Sequence, residues 1–84
     1  NCIINTNSTI EHDVKIGKYC QINSFSFFAG YANTGDCVTV NAGAKLIQNV
    51  KVEEEAVIGM GSVVLSKVKK GTTVFGVPAK RLKF

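Results

Sequence analysis

Ile10-Glu11-His12-Asp13-Val14-Lys15-Ile16 decides how this chain is read. Two isoleucines stand six residues apart, Val14 lies four after the first of them, and the polar residues fall between. An α-helix would repeat its apolar stripe about every 3.6 residues and a half-buried strand about every second residue, so neither explains the spacing. Stepping by six in both directions gives Ile4, Ile10, Ile16, Ile22, Phe28, Thr34, Val40, Leu46, Val52, Ile58 and Val64; only Thr34 is not apolar. Four residues after each stand Ser8, Val14, Cys20, Ser26, Ala32, Val38, Ala44, Val50, Ala56, Ser62 and Val68, all small or β-branched. Two positions keeping one period over the whole run mark a stacked repeat.

That rhythm predicts an all-β chain wound as a parallel β-helix. Large aliphatics stack along the interior, and small residues fit where the backbone turns. Three hexapeptides close one triangular coil of eighteen residues, and the eighteen-step keeps Asn5, Asn23 and Asn41 in register, followed by Gly59. Gly17, Gly35, Gly59 and Gly71 share one hexapeptide place, and Asn and Gly tolerate the left-handed backbone that corners require. The expectation is a single domain over 1–84. Repeats over 4–75 form about four coils some 4.8 Å apart. After Gly76 the rhythm stops, and 76–84 are expected to form a capping turn or short helix, with Pro78 in its first turn. The chain starts inside the pattern and without Met, as a piece of a longer protein would.

Composition narrows the classes. Eighty-four residues make one domain with a limited core, the kind that oligomerisation helps. No apolar run approaches the ~20 residues of a membrane span, so no membrane insertion is expected. The start has neither the basic region nor the cleavage site of a signal peptide. Cys2, Cys20 and Cys37 are odd in number and lack C-x-x-C spacing, which fits a reducing, cytoplasmic setting without disulfides or zinc. Cys20 falls at a small inward position and reads as a buried hydrophobe. The net charge of +4 is concentrated late, at Lys67, Lys69, Lys70, Lys80, Arg81 and Lys83. Such a tail is either a solvated surface or a seat for an anionic ligand. No aromatic-basic motif points to nucleic acid. Tyr19, Phe25 and Tyr31 each precede a small position and are expected to face outward, as a subunit contact first and an acceptor-pocket wall second.

The segments Ile4-Asn5-Thr6-Asn7-Ser8-Thr9-Ile10-Glu11-His12-Asp13, Val57-Ile58-Gly59-Met60-Gly61-Ser62-Val63-Val64 and Gly76-Val77-Pro78-Ala79-Lys80 resemble three motifs of one family. It is the bacterial hexapeptide-repeat acyltransferases, and within it the sialic-acid O-acetyltransferase and UDP-amino-sugar N-acetyltransferase branch (NeuD/PglD-like). The resemblance covers essentially the whole chain. It implies a left-handed β-helix, a homotrimer, acetyl-CoA as co-substrate and a sugar hydroxyl or amine as acceptor. The family's N-terminal sugar-nucleotide-binding domain has no counterpart in these residues. Gln21 stands where the branch often has a histidine that contacts the coenzyme.

Acetyl transfer needs a base for the attacking group and a donor for the carbonyl oxygen. A neutral imidazole, with an ordinary pKa of about 6.5, suits the first task. His12 is the sole histidine, and its place between inward Ile10 and Val14 points its side chain outward. By the resemblance His12 is the general base and Asp13 raises its basicity, with Glu11 as the alternative partner. The resemblance also puts the coenzyme in a groove between neighbouring β-helices. By position Gln21, Ala42, Gly59 and Met60 are its candidate contacts, and Lys80 and Arg81 those of its phosphates. One histidine does not make the multi-histidine metal site known on this fold, so no metal is expected. The alternative to an enzyme is an inactive β-helical trimerisation module.

Overall fold

The structure, a computed structural model, describes residues 3–4 and 7–81, the side chain of Arg81 excepted. Cys2, Asn5 and the last three residues of the expected cap lie outside that range. The repeat emerges as very short strands: β1 (Ile3–Ile4), β2 (Thr9–Ile10), β3 (Lys15–Ile16), β4 (Gln21–Ile22), β5 (Phe27–Phe28), β6 (Asn33–Thr34) and β7 (Thr39–Val40). They continue as β8 (Lys45–Leu46), β9 (Lys51–Val52), β10 (Val57–Ile58), β11 (Val63–Val64), β12 (Thr73–Phe75) and β13 (Lys80–Arg81). From β1 to β12 the strands pair in parallel with the strand one coil away, as in Ile4↔Ile22 and Ile22↔Val40. The first sheet runs β1-β4-β7-β10-β12-β13, the second β11-β8-β5-β2 and the third β3-β6-β9. The result is the left-handed parallel β-helix that the repeat and the resemblance imply.

The inward residues fill the prism. Ile22, Phe28, Val40, Leu46, Val52 and Ile58 are fully buried, and each such aliphatic or aromatic side chain contributes about 1.5–3 kcal/mol. The small positions are buried from Cys20 onward. Thr34, the polar exception, is buried too; its hydroxyl lies 3.4 Å from the Gly17 N–H and 3.6 Å from Cys20 Sγ. The first coil differs: Ile4 is 49% and Ile10 37% exposed.

Three corners join the sheets. The first carries His12-Asp13, Gly30-Tyr31 and Gln48-Asn49; the second Lys18-Tyr19, Asp36-Cys37, Glu54-Glu55 and Lys70-Gly71; the third Ser24-Phe25, Ala42-Gly43 and Met60-Gly61. The left-handed residue is the second of each turn, including Asp13, Tyr19, Phe25, Tyr31, Cys37, Asn49 and Glu55. This corrects the expected corner place, which lies two residues earlier. Gly17 and Gly35 are needed for a different reason. A Cβ at Gly17 would run into the Gly35 carbonyl, and one at Gly35 would come within 2.7 Å of the Glu54 backbone nitrogen. The Asn ladder is present: Asn23 Nδ2 donates to Asn41 Oδ1 (3.2 Å), and Asn41 Nδ2 to the Ile58 carbonyl (3.0 Å).

The last coil is shortened. Val68 bridges Val52, and Ile58 pairs with Val74, an offset of sixteen residues instead of eighteen. Val68 is therefore an isolated bridge residue facing inward, where the six-step had made it a corner residue. In its described residues, 76–81, the cap is a turn and a strand and not a helix. Residues 76–79 turn, with a cis Val77–Pro78 bond, and β13 returns antiparallel along β12.

Candidate active site

His12 lies on the first corner, between β2 of the second sheet and β3 of the third. The inward pull of Ile10 and Val14 turns it out, and its side chain is 66% exposed. Its Nδ1 is 3.5 Å from Asp13 Oδ2. Asp13 reaches back because its backbone is left-handed (φ 57°), a region that Asp tolerates better than most residues. Glu11 faces solvent from the end of β2, its N–H held by the Phe28 carbonyl at 3.0 Å. Asp13 is thus the carboxylate that the structure brings to the imidazole.

Two residues one coil further on complete the corner. A Cβ on Gly30 would lie 2.9 Å from His12 Cε1 and 3.0 Å from Nε2, so the imidazole occupies space that any side chain there would take. The Tyr31 ring meets the imidazole edge to face, with centroids 5.1 Å apart and planes at 84°. The Tyr31 N–H donates to the His12 carbonyl at 3.2 Å. Sequence reasoning left Gly30 out of the site and gave Tyr31 only a wall or interface role. Adding eighteen to positions 12 and 13 would have found both.

The six coenzyme positions lie elsewhere on the prism. Gln21 is on β4, and Lys80 and Arg81 are on β13, all in the first sheet, which is the face opposite the His12 corner. Ala42 and Met60 stack in register on the third corner, with Met60 exposed. Gly59 follows β10, beneath the Phe75 ring; its N–H bonds the Val74 carbonyl (2.8 Å) and its carbonyl accepts from Ser62 N–H (3.2 Å). Within one chain, therefore, His12 and Asp13 meet, and the coenzyme positions do not join them. Among the described residues no cluster of three or more His, Cys, Asp or Glu is placed to hold a metal. No helix among them is long and apolar enough to cross a membrane.

The second corner is different in chemistry. Asp36 Oδ1 accepts the Lys18 N–H at 2.7 Å, and Glu53 accepts the Lys70 N–H at 3.0 Å while pairing with Lys67 Nζ at 3.2 Å. Glu54 pairs with Lys70 Nζ at 3.3 Å. The Lys70 N–H, then the Lys67 ammonium, hold the Glu53 carboxyl below its ordinary range. A groove of about 480 Å³ runs along this edge, lined in part by Asn33, Gly35, Lys51 and Glu53.

No protein-family model matches the chain. Serine acetyltransferase of Staphylococcus epidermidis is 35% identical over 82 residues, 98% of this chain and 37% of that protein. The structure of PerB from Caulobacter crescentus, in complex with CoA and GDP-perosamine, superposes with a TM-score of 0.96 at 30% identity, over 98% of this chain and 40% of PerB. The acetyltransferase domain of PglB from Neisseria gonorrhoeae, in complex with acetyl coenzyme A, gives 0.95 at 30% identity, over 96% and 40%. The chain is a hexapeptide-repeat β-helix similar to those of these acetyltransferases. It spans about two fifths of the length of the proteins it matches.

Proposed function

We propose that this chain is the catalytic β-helix of an acetyl-CoA-dependent acetyltransferase whose acceptor is a sugar, in the branch of the sialic-acid and nucleotide-linked amino-sugar acetyltransferases. The contact of His12 with Asp13 on an open corner is the observation that carries the reading. In this mechanism His12 Nε2 takes the proton of the acceptor group as that group attacks the thioester carbonyl. Asp13 holds the other nitrogen and stabilises the imidazolium. A backbone N–H meets the charge growing on the carbonyl oxygen. When the intermediate collapses, His12 returns the proton to the departing thiolate.

The acetyl-CoA complex of PglB and the CoA complex of PerB support the co-substrate. The GDP-perosamine bound to PerB supports the acceptor class. Serine is the second reading, from the name of the curated relative.

A complete site in this reading needs a second copy, because the coenzyme positions face away from His12. The outward row of the first sheet, Gln21, Thr39, Val57 and Thr73, carries no charge, as the centre of a subunit contact requires. The assembly we infer is a homotrimer with coenzyme grooves between neighbours and Lys80 and Arg81 near the phosphates. Sedimentation should give three chains per particle, and calorimetry should show CoA binding that weakens with salt. A panel of acceptors offered with acetyl-CoA, including amino sugars, sialic acid and serine, identifies the substrate. A trimer that binds no CoA and acetylates nothing would make the chain a scaffold module instead.

A further inference from the structure

We propose that Tyr31 is a positioning residue for His12, acting with the bare Cα of Gly30 to fix the plane of the imidazole. This rests on the reading of His12 as the base. An exposed imidazole on a turn has several rotamers open to it. Here three neighbours favour one of them. Asp13 Oδ2 takes the Nδ1 side, Gly30 supplies a seat with no side chain, and the Tyr31 ring closes the flank. Tyr31 is itself tied to the same turn, through its N–H bond to the His12 carbonyl. The arrangement keeps Nδ1 protonated toward Asp13 and leaves Nε2 free to accept a proton.

Backbone strain does not single out Tyr31. Tyr19 and Phe25 sit in the same left-handed turn position, at φ 58° and 62°, beside 62° for Tyr31. What differs is the contact. Tyr19 and Phe25 are both 64% exposed, and among the described residues neither ring meets another ring; Tyr31 is 49% exposed because it covers the imidazole. The place of this aromatic, on the one corner that carries the histidine, is the basis of the assignment.

Three variants separate the contact from the fold. Tyr31→Phe keeps the ring and loses the hydroxyl. Tyr31→Leu loses the ring. Tyr31→Asn loses the ring but favours the left-handed backbone, so its melting temperature should equal or exceed that of the parent. The ring nitrogens of His12 are read by ¹⁵N NMR on the intact chain above neutral pH. The parent and Tyr31→Phe should show one tautomer, Nδ1-protonated. Tyr31→Leu and Tyr31→Asn should show a mixture. Turnover of the latter two should fall about 3–10-fold at unchanged KM, the size of an aromatic pair. If Tyr31→Asn keeps both the tautomer ratio and the turnover, the positioning role is wrong and His12 as base still stands. If the tautomer responds but no acceptor is ever acetylated, Tyr31 does position the ring and the enzyme reading is what fails.

Discussion

The first and second corners of this prism share one backbone and differ in what their side chains have left to do. Both stack turns coil on coil with a left-handed second residue. At the second corner Asp36, Glu53 and Glu54 each accept a hydrogen bond or ion pair from a neighbouring coil, and lysines close the edge. At the first corner the imidazole of His12 touches a carboxylate, a glycine and an aromatic ring, and most of its surface stays open. In a repeat fold the chain gives every corner the same geometry. Reactivity belongs where the outward groups are held in place without being consumed by one another.

The sharpest test of that contrast is His12→Asn. It should lower turnover by about 10²–10⁴-fold, the usual worth of a placed acid-base group. Melting temperature and CoA affinity should stay level, because the side chain fills no core space. Asp13→Asn should cost less in the same parameter, since it keeps a residue suited to φ 57° and leaves the imidazole in place. Steady-state kinetics with the identified acceptor, beside a thermal melt, read both; parental turnover in His12→Asn would make His12 a surface residue only.

Paired glycine substitutions come next. Gly30→Ala pushes a methyl against the end of a side chain that can swing away, so the fold should hold while turnover drops by roughly 10²-fold, as misplaced catalytic groups do. Gly35→Ala pushes against the backbone of Glu54, which has nowhere to go, and should cost about 1–3 kcal/mol of stability with little loss of turnover per folded chain. Were the two results exchanged, the functional assignment of the corners would be reversed.

The smallest effect is a matter of pH. Glu53 binds its proton more weakly folded than unfolded, because the Lys70 N–H and the Lys67 ammonium favour the carboxylate. Its contribution is therefore complete above the ordinary glutamate range and vanishes as the pH falls through the lowered folded value. Glu53→Gln should melt slightly below the parent near neutrality, and the gap should close in acid. A gap that persists at low pH would mean the second corner is held by packing and not by charge.

The sequence legibility of these features was uneven, for physical reasons. Period six is forced by the core, so the inward row from Ile22 to Val64 and the small row from Cys20 could be read directly. The left-handed positions could not, because the corners accept Tyr, Phe, Cys and Glu where Gly or Asn would mark them. Gly17 and Gly35 pointed to the wrong place, being selected by the approach of neighbouring coils. The shortened coil left a trace: six beyond Val64 stands Lys70, whereas Val68 and Val74 are the buried residues. At the site, His12 and Asp13 were legible as sequence neighbours. Gly30 and Tyr31 join them only through the coil, and local motif reading stops short of that distance.

The fixed offset between coils also bears on how the chain folds. Every parallel backbone pair closes a loop of eighteen residues, or sixteen past Val52, so the entropic cost of closure is nearly the same everywhere along the axis. Such a chain has no topologically privileged nucleus. Order is expected to begin where side chains gain most from stacking, among the fully buried Ile22, Phe28, Val40, Leu46, Val52 and Ile58, and to spread coil by coil in both directions. Amide exchange should accordingly be slowest in the coils that hold these residues. The His12 turn is joined to those coils through the Tyr31 N–H, which donates to the His12 carbonyl.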